Sequence, residues 1–332
     1  MSRVVGKNVI KYLFLLIFSS SLTAAWAQTS WKPERNVEII SGTAAGGAVD
    51  RANRAVQRIW QEKKFIDVNS VVINKPGGGN TIAWNYLNQH AGDGHYVMIA
   101  PYTILTNKIV GTSSINWSDF SLISLLFNEY MTVAVRADSP IRNGTDLIER
   151  LKKDPAALSI AVASTLGNHI HTSIAKALKG GGVDIKKLKV VAFPSSGESV
   201  TQLLGGHIDV VSSSTPNVVG QLQAGKIRII AVSSAQRLTG VFANVPTWKE
   251  QGIEGTFSAS QGAIGPRGLT PAQVAFWESA FQKLAQSEEW NKELALSYWY
   301  GNYLGSRETA RYYASQNTEL REILTELGLA KQ

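Results

Sequence analysis

Short runs rich in β-branched and aromatic residues recur along the chain at residues 37–41, 71–74, 96–100, 131–135, 159–163, 189–193, 208–212 and 227–232. Several are apolar almost throughout, as strands buried on both faces are, and they predict eight strands in mainly parallel sheets. Between them the apolar positions switch to helical spacing. Val49, Val56, Ile59 and Trp60 mark one face of a helix whose outer side carries Arg51, Arg54 and Arg58. Strand and helix in alternation is an α/β pattern.

After Val232 the texture changes. Val245-Pro246 and the glycine-rich stretch 252–268 read as loop and crossing segments. Thr270-Pro271 predicts a helix start, with a capping hydroxyl and proline at the first helical position. Val274, Trp277, Phe281 and Leu284 follow on one stripe. A last helix is predicted over 306–327, with Leu320, Ile323, Leu324 and Leu327 inward. The expected architecture is two α/β lobes, with the C-terminal helices returning to pack on one of them. No repeat of 20–50 residues and no low-complexity tract interrupts it.

The first 27 residues have a different character. Arg3, Lys7 and Lys11 precede an apolar run at 12–22 that is shorter than the ~20 residues a membrane span needs. Ala25-Trp26-Ala27 then supplies the small-x-small pattern of a signal-peptidase site, so cleavage is expected after Ala27. The expected product is a soluble periplasmic protein. At 332 residues, 44% hydrophobic and 17% charged, the chain is globular and long enough for two domains. Its zero cysteines exclude disulfides, thiol nucleophiles, thiolate metal sites and a lipidated N-terminal cysteine. The net charge of +8 is spread out. Lys186, Lys187 and Lys189 form the densest basic group and lack interleaved aromatics, which reads as a solvated turn and not a nucleic-acid surface.

Glycine- and hydroxyl-rich turns follow the predicted strands. The first strand runs through Gly42-Thr43-Ala44-Ala45-Gly46-Gly47-Ala48 into a helix, the second through Asn74-Lys75-Pro76-Gly77-Gly78-Gly79-Asn80. The fifth ends in Ser164-Thr165-Leu166-Gly167-Asn168, before a helix containing His169 and His171. The sixth ends in Pro194-Ser195-Ser196-Gly197 and the seventh in Ser212-Ser213-Ser214-Thr215-Pro216. Small residues let backbone N–H groups approach a ligand, and helix starts favour anions. In open α/β sheets ligands bind at the carboxyl ends of strands, so five such turns predict a polar cleft. Asp50, in the first turn of its helix, either sits in the dipole field or holds the turn in shape.

Catalytic patterns are missing. Neither glycine cluster completes G-x-x-x-x-G-K-[ST], Ile82 stands where G-x-G-x-x-G needs glycine, and neither G-x-S-x-G nor H-E-x-x-H occurs. His169 and His171 are two apart, a spacing that points them to different sides of a helix. His90, His95 and His207 lie by turn residues and read as surface groups. No metal site, no cofactor and no enzyme activity are expected.

Together, A-A-G-G-x-x-D (residues 44–50), N-K-P-G-G-G-N (74–80), D-G-x-Y (93–96), L-L-G-G-H-I-D (203–209), A-G-K-I-R-I-I-A-V (224–232) and N-V-P-T-W-K-E-Q-G (244–252) carry a resemblance. With the G-P…T-P segment (265–271), they make the chain similar to the Bug family of periplasmic solute receptors, the binding component of tripartite tricarboxylate transporters. The resemblance implies a two-lobed fold of the type II-like periplasmic binding kind. It implies a first lobe of residues 28–130 plus 255–332, a second of 131–254, and a hinge at the two crossings. It implies ligand-binding positions at Thr43, Ala44, Gly46, Gly47, Ala48, Tyr102 and Thr103 from the first lobe, and Ser164, Asn168, His171, Ser196 and Ser213 from the second. It further implies a monomer that captures a small organic carboxylate and delivers it to membrane permease subunits. A receptor that presents ligand to a membrane signalling partner is the alternative, and an exported hydrolase lacks the motifs.

The chain departs from the family pattern in three places. Asn168 replaces a serine, Ser213 stands where an acid is common, and Ser260-Gln261 replaces an aromatic. Without that acid a cationic amine has no partner, so a mono- or dicarboxylate without an amino group is the expected ligand.

Overall fold

The computed structural model describes residues 30–331, and the expected leader and its cleavage point lie outside the described residues. The elements run β1 (Val37–Ser41), α1 (Ala48–Lys63), β2 (Ser70–Asn74), α2 (Thr81–Gln89), β3 (Tyr96–Ala100), α3 (Thr103–Thr106) and β4 (Ser121–Glu129). Then come β5 (Met131–Arg136), α4 (Gly144–Lys153), β6 (Ser159–Ala163), α5 (His169–Gly180), β7 (Lys189–Phe193), α6 (Ser196–Leu204), β8 (Val210–Ser214), α7 (Val219–Gln223) and β9 (Ile227–Val232). The chain closes with β10 (Ala259–Gly265), α8 (Pro271–Gln286), α9 (Glu288–Leu296), β11 (Tyr300–Gly305) and α10 (Ser306–Glu326).

Two sheets result, one ordered β11-β4-β10-β3-β1-β2 and the other β7-β6-β8-β5-β9. The α/β class and the two lobes stand as expected, but the sheets are mixed and not mainly parallel. β1 is parallel to β2 and β3, and β6 to β7 and β8. β10 runs antiparallel to β3 and β4, β11 to β4, and β5 to β8 and β9. The reversals sit at the strands that carry the chain between sheets: Tyr130 alone separates β4 from β5, and the return runs from β9 to β10. An antiparallel neighbour needs no crossover helix, so these strands come without the alternating helix that marks a parallel unit.

β4, β10 and β11 add to the expected eight strands, and β10 occupies what reads as a glycine-rich loop. Its glycines serve close packing. A Cβ on Gly262 would stand 2.4 Å from the Ser124 carbonyl on β4, so only glycine lets the two strands approach. β8 begins and ends two residues later than expected, which draws Ser213 and Ser214 into the strand.

The apolar stripes bury where their spacing predicts, except that Val274 and Leu327 are half-buried. On α1, Val49, Val56, Ile59 and Trp60 are buried, with Trp60 stacked on Trp277 of α8 at 5.3 Å. Thr270 and Gln273 form a reciprocal capping box at the start of α8, and Trp277 Nε1 donates to the Gly94 carbonyl at 2.8 Å. One core lies between the first sheet and α1, α8 and α9. A second fills the outer face of the other sheet, with Val200, Leu203, Val211 and Phe242. The third is continuous across both lobes, running from Trp84, Met98 and Tyr313 to Met131, Ile170 and Ile174. α10 reinforces this bridge: Lys176 and Lys179 of α5 pair with its Glu319 and Glu326.

Candidate ligand-binding cleft

β1, β2 and β3 are mutually parallel, as are β6, β7 and β8, so the predicted turns gather at one edge of each sheet. The two edges meet. Tyr102, just after β3, sets its ring 5.9 Å from that of His169 at the start of α5, and 5.6 Å from that of Phe257. A Cβ on Gly167 would come within 3.0 Å of Val110 from the other lobe.

The turn before α1 is held from beneath. Buried Asp50 accepts from Gly46 N at 2.8 Å, Arg54 Nε at 2.9 Å and Asn74 Nδ2 at 2.7 Å, and Asn74 Nδ2 also donates to the Thr43 carbonyl at 2.9 Å. Burial pushes the Asp50 carboxyl up, but the bonds from Arg54, Asn74 and Gly46 together bring it below its usual range. Asp50 therefore holds the turn in shape. Gly46 lies at φ 81, a left-handed conformation that costs ~1–2 kcal/mol with a side chain. A Cβ on Gly47 would meet Thr43 Oγ1 at 2.9 Å. No side chain caps α1, so the first-turn N–H groups of Ala48 and Val49 have no intrahelical acceptor. Ala44, Gly46 and Ala48 are exposed and Thr43 and Gly47 half-buried. These are the requirements of an anion site at a helix start.

The turn before α5 satisfies its own backbone. Asn168 Oδ1 accepts from Ile170 N at 3.0 Å and His171 N at 3.1 Å, while its Nδ2 donates to the Ala163 carbonyl and Ser164 Oγ. Ser164 is exposed at φ 58, a strained conformation for a residue other than glycine. Gly167 N donates to His171 Nδ1 at 3.0 Å. Burial pushes His171 down to about 4, so the ring is neutral near pH 7, and its Nδ1 accepts. The proton therefore sits on Nε2, a donor with no partner among the described residues. Tyr102 OH is likewise buried and unpartnered, and burial raises its phenol well above the ordinary range.

The remaining predicted residues lie less centrally. Thr103 Oγ1 accepts from Asn80 Nδ2 at 3.2 Å, at the rim of the first lobe. Ser196 Oγ accepts from exposed Asn217. In β8, Ser212 Oγ donates to the Ile170 carbonyl on the α5 side. Strand alternation therefore turns Ser213 to the opposite face, and Ser214 returns to the α5 side.

Sequence reasoning missed Glu129, the last residue of β4. It lies between the lobes, with one carboxylate oxygen 3.9 Å from His169 Nε2. Its side chain is 13% exposed. Burial pushes the carboxyl up to about 7, against the pull of Ser214, Trp299 and Arg51 beside it. Burial also brings His169 down to about 4. The space between the lobes thus holds an acid, supplied by a strand end and not by the β8 turn. Nothing local in residues 121–129 signals this, because the carboxylate meets its neighbours only across the fold. Cavities of about 290 Å3 beside Arg136 and Arg150, and of about 710 Å3 along α10 beside Lys186, lie away from this cluster. Among the described residues there is no group of three or more His, Asp or Glu arranged to hold a metal, and no helix long and apolar enough to cross a membrane.

Two α/β lobes joined by two crossings, with strand-end turns meeting between them, define a two-lobed binding receptor. The profile of the family described as "Tripartite tricarboxylate transporter family receptor" (TctC) matches residues 55–329. The chain belongs to that family. It is 27% identical over 310 residues to "UPF0065 protein in gbd 5'region" of Cupriavidus necator, covering 92% of each chain. It is 24% identical over 264 residues to "Protein BugT" of Bordetella pertussis, covering 77% of this chain and 78% of that one. A TctC solute-binding protein from Polaromonas superposes with a TM-score of 0.78 at 25% identity, over 89% of this chain and 99% of that one. Two Rhodopseudomonas palustris proteins share the fold: one solved with adipate (TM-score 0.71, 22% identity, 90% and 99% covered) and MatC with bound malate (0.63, 21%, 90% and 99%). The Polaromonas neighbour is a solute-binding protein and the family is one of transporter receptors, so the present chain is a receptor and not an enzyme.

Proposed function

We propose that this receptor captures a small organic carboxylate between its lobes and delivers it to the membrane permease subunits of a tripartite tricarboxylate-type transporter. One observation carries the reading. The uncapped start of α1, braced by Asp50, offers free N–H groups on the first lobe, where an anion is stabilised by ~0.3–2 kcal/mol. Tyr102 OH, also from the first lobe, and His171 Nε2–H, from the facing edge, stand ready to donate. The adipate and malate of the R. palustris neighbours support the ligand class.

The proposed lobes are residues 28–130 with 255–332, and 131–254, hinged at the two crossings; ligand bridging both lobes closes the hinge. Ligand contacts are assigned to Thr43, Ala44, Gly46, Gly47, Ala48, Tyr102 and Thr103, and to Ser164, Asn168, His171, Ser196 and Ser213. The working form is taken to be a monomer, released by cleavage after Ala27. Calorimetric titration of the mature chain with mono- and dicarboxylates, aromatic acids and amino acids tests the ligand class. Tight binding of a carboxylate is expected, and a response to none of them overturns it. Copurification of membrane permease subunits with the receptor tests the partner.

A further inference from the structure

One carboxyl group, that of Glu129, reaches between the lobes. Glu129 belongs to none of the five predicted turns. It ends β4 one residue before the chain crosses between sheets, so its backbone is held by pairing with Ala259 of β10, while its side chain reaches between the lobes. The groups facing it come from four places: Arg51 from α1, His169 from α5, Ser214 from β8 and Trp299 ahead of β11. Arg51 is the only cation among these. His169 is neutral across the physiological range, with its Nδ1 buried and unpartnered.

A buried acid in such surroundings has two uses. Ionised, it would take the ammonium group of an amino acid. Protonated, it would donate a hydrogen bond to a ligand oxygen. The field decides between them. Arg51 and the free N–H groups at the start of α1 make this end of the cleft positive, which repels an ammonium group and attracts a second carboxylate. Two carboxylates that meet in a buried site hold one proton between them, because both cannot stay ionised there. We propose that Glu129, in its protonated form, is the specificity-determining donor to the second carboxylate of the ligand, so that capture of a dicarboxylate takes up one proton from solution. This rests on the carboxylate-receptor reading above and assigns the ligand class within it.

Proton linkage then sets the behaviour. A group near 7 in the free protein that must be protonated in the complex makes affinity roughly tenfold weaker at about pH 8 than at about pH 6. Neither His169 nor His171 titrates in that window.

Calorimetric titrations of malate and adipate into the mature chain, at those two pH values and in two buffers of different ionisation heat, test this. The wild type is expected to lose about tenfold in affinity on going to the higher pH, with proton uptake approaching one per ligand bound. Glu129→Gln, which keeps a neutral donor, is expected to bind with the same affinity at both. A merely structural role for Glu129 would move neither the proton count nor the pH profile. A flat wild-type profile, or proton release with aspartate preferred over malate, overturns the assignment and leaves the receptor reading standing. Binding of no carboxylate at either pH defeats both.

Discussion

The turns before α1 and before α5 occupy equivalent places, each after a parallel strand and each glycine-bearing, yet they solve the helix start in opposite ways. The first leaves the start of α1 open and spends its one buried carboxylate, Asp50, on the loop behind it. The second caps α5 with Asn168, which uses up the N–H groups of Ile170 and His171. An anion can therefore be held by backbone on one side only. On the other side the available donors are side chains, with His171 Nε2 foremost. In the proposed site, a fixed backbone cradle is paired with replaceable side chains, so the carboxylate grip stays while the rest of the ligand varies.

Removing Asp50 tests the asymmetry hardest. Asp50→Ala leaves Arg54, Asn74 and the Gly46 amide without their acceptor and is expected to cost about 3 kcal/mol of stability, along with carboxylate binding. Thermal melts and calorimetry check both, and a variant that binds normally would show that the α1 turn needs no brace. His171→Phe keeps the bulk but removes the free donor, so a loss of about 1.5–3 kcal/mol in binding is expected, with about 1 kcal/mol lost in the melt because Gly167 N also loses its acceptor. Asn168→Ala reverses that signature: about 1 kcal/mol less stable for the lost cap, with a smaller effect on affinity. If affinity falls more than stability, the second turn grips ligand through Asn168 itself. Gly46→Ala has open space around the new methyl, so only the left-handed backbone resists it, and ~1 kcal/mol of destabilisation is expected in the melt.

The last effect is one of pH. His169 and His171 lie at about 4 in the folded chain, below the ~6.5 of an unfolded one. Unfolding takes up protons between those values, so their contribution is complete above about 6.5 and drains away as pH falls towards 4. The melting temperature is expected to decline over that interval, and less steeply in His171→Gln. Glu129 acts with the opposite sign. Its raised value gives a contribution present at low pH and lost as pH climbs through about 7.

Much of this molecule was open to reading along the chain. Periodicity placed α1, α8 and α10 and their buried stripes, because amphipathic spacing is a local property that survives in any fold that buries it. The capping box at Thr270 is local in the same way. The strand-end turns, too, were visible as runs of small residues where the backbone must bend and stay accessible. Hidden from such reading were β10 and β11, whose glycines look like loop until a neighbouring strand is seen pressing on Gly262. So were the antiparallel reversals, and with them the place where the lobes join.

The site divides along the same line. Residue order dictated that Gly46, Gly47 and Asn168 would stand at helix starts, since each acts on its own neighbours in the chain. It could not say that Ser214 and not Ser213 faces α5, because the face of β8 that packs on α5 is fixed by the contact of Ser212 with Ile170. Nor could it say that Glu129 lies between the lobes. The environment of that carboxyl is built by α1, α5, β8 and Trp299, segments up to 170 residues away along the chain, and a charge's burial and partners exist only once such distant segments have packed around it.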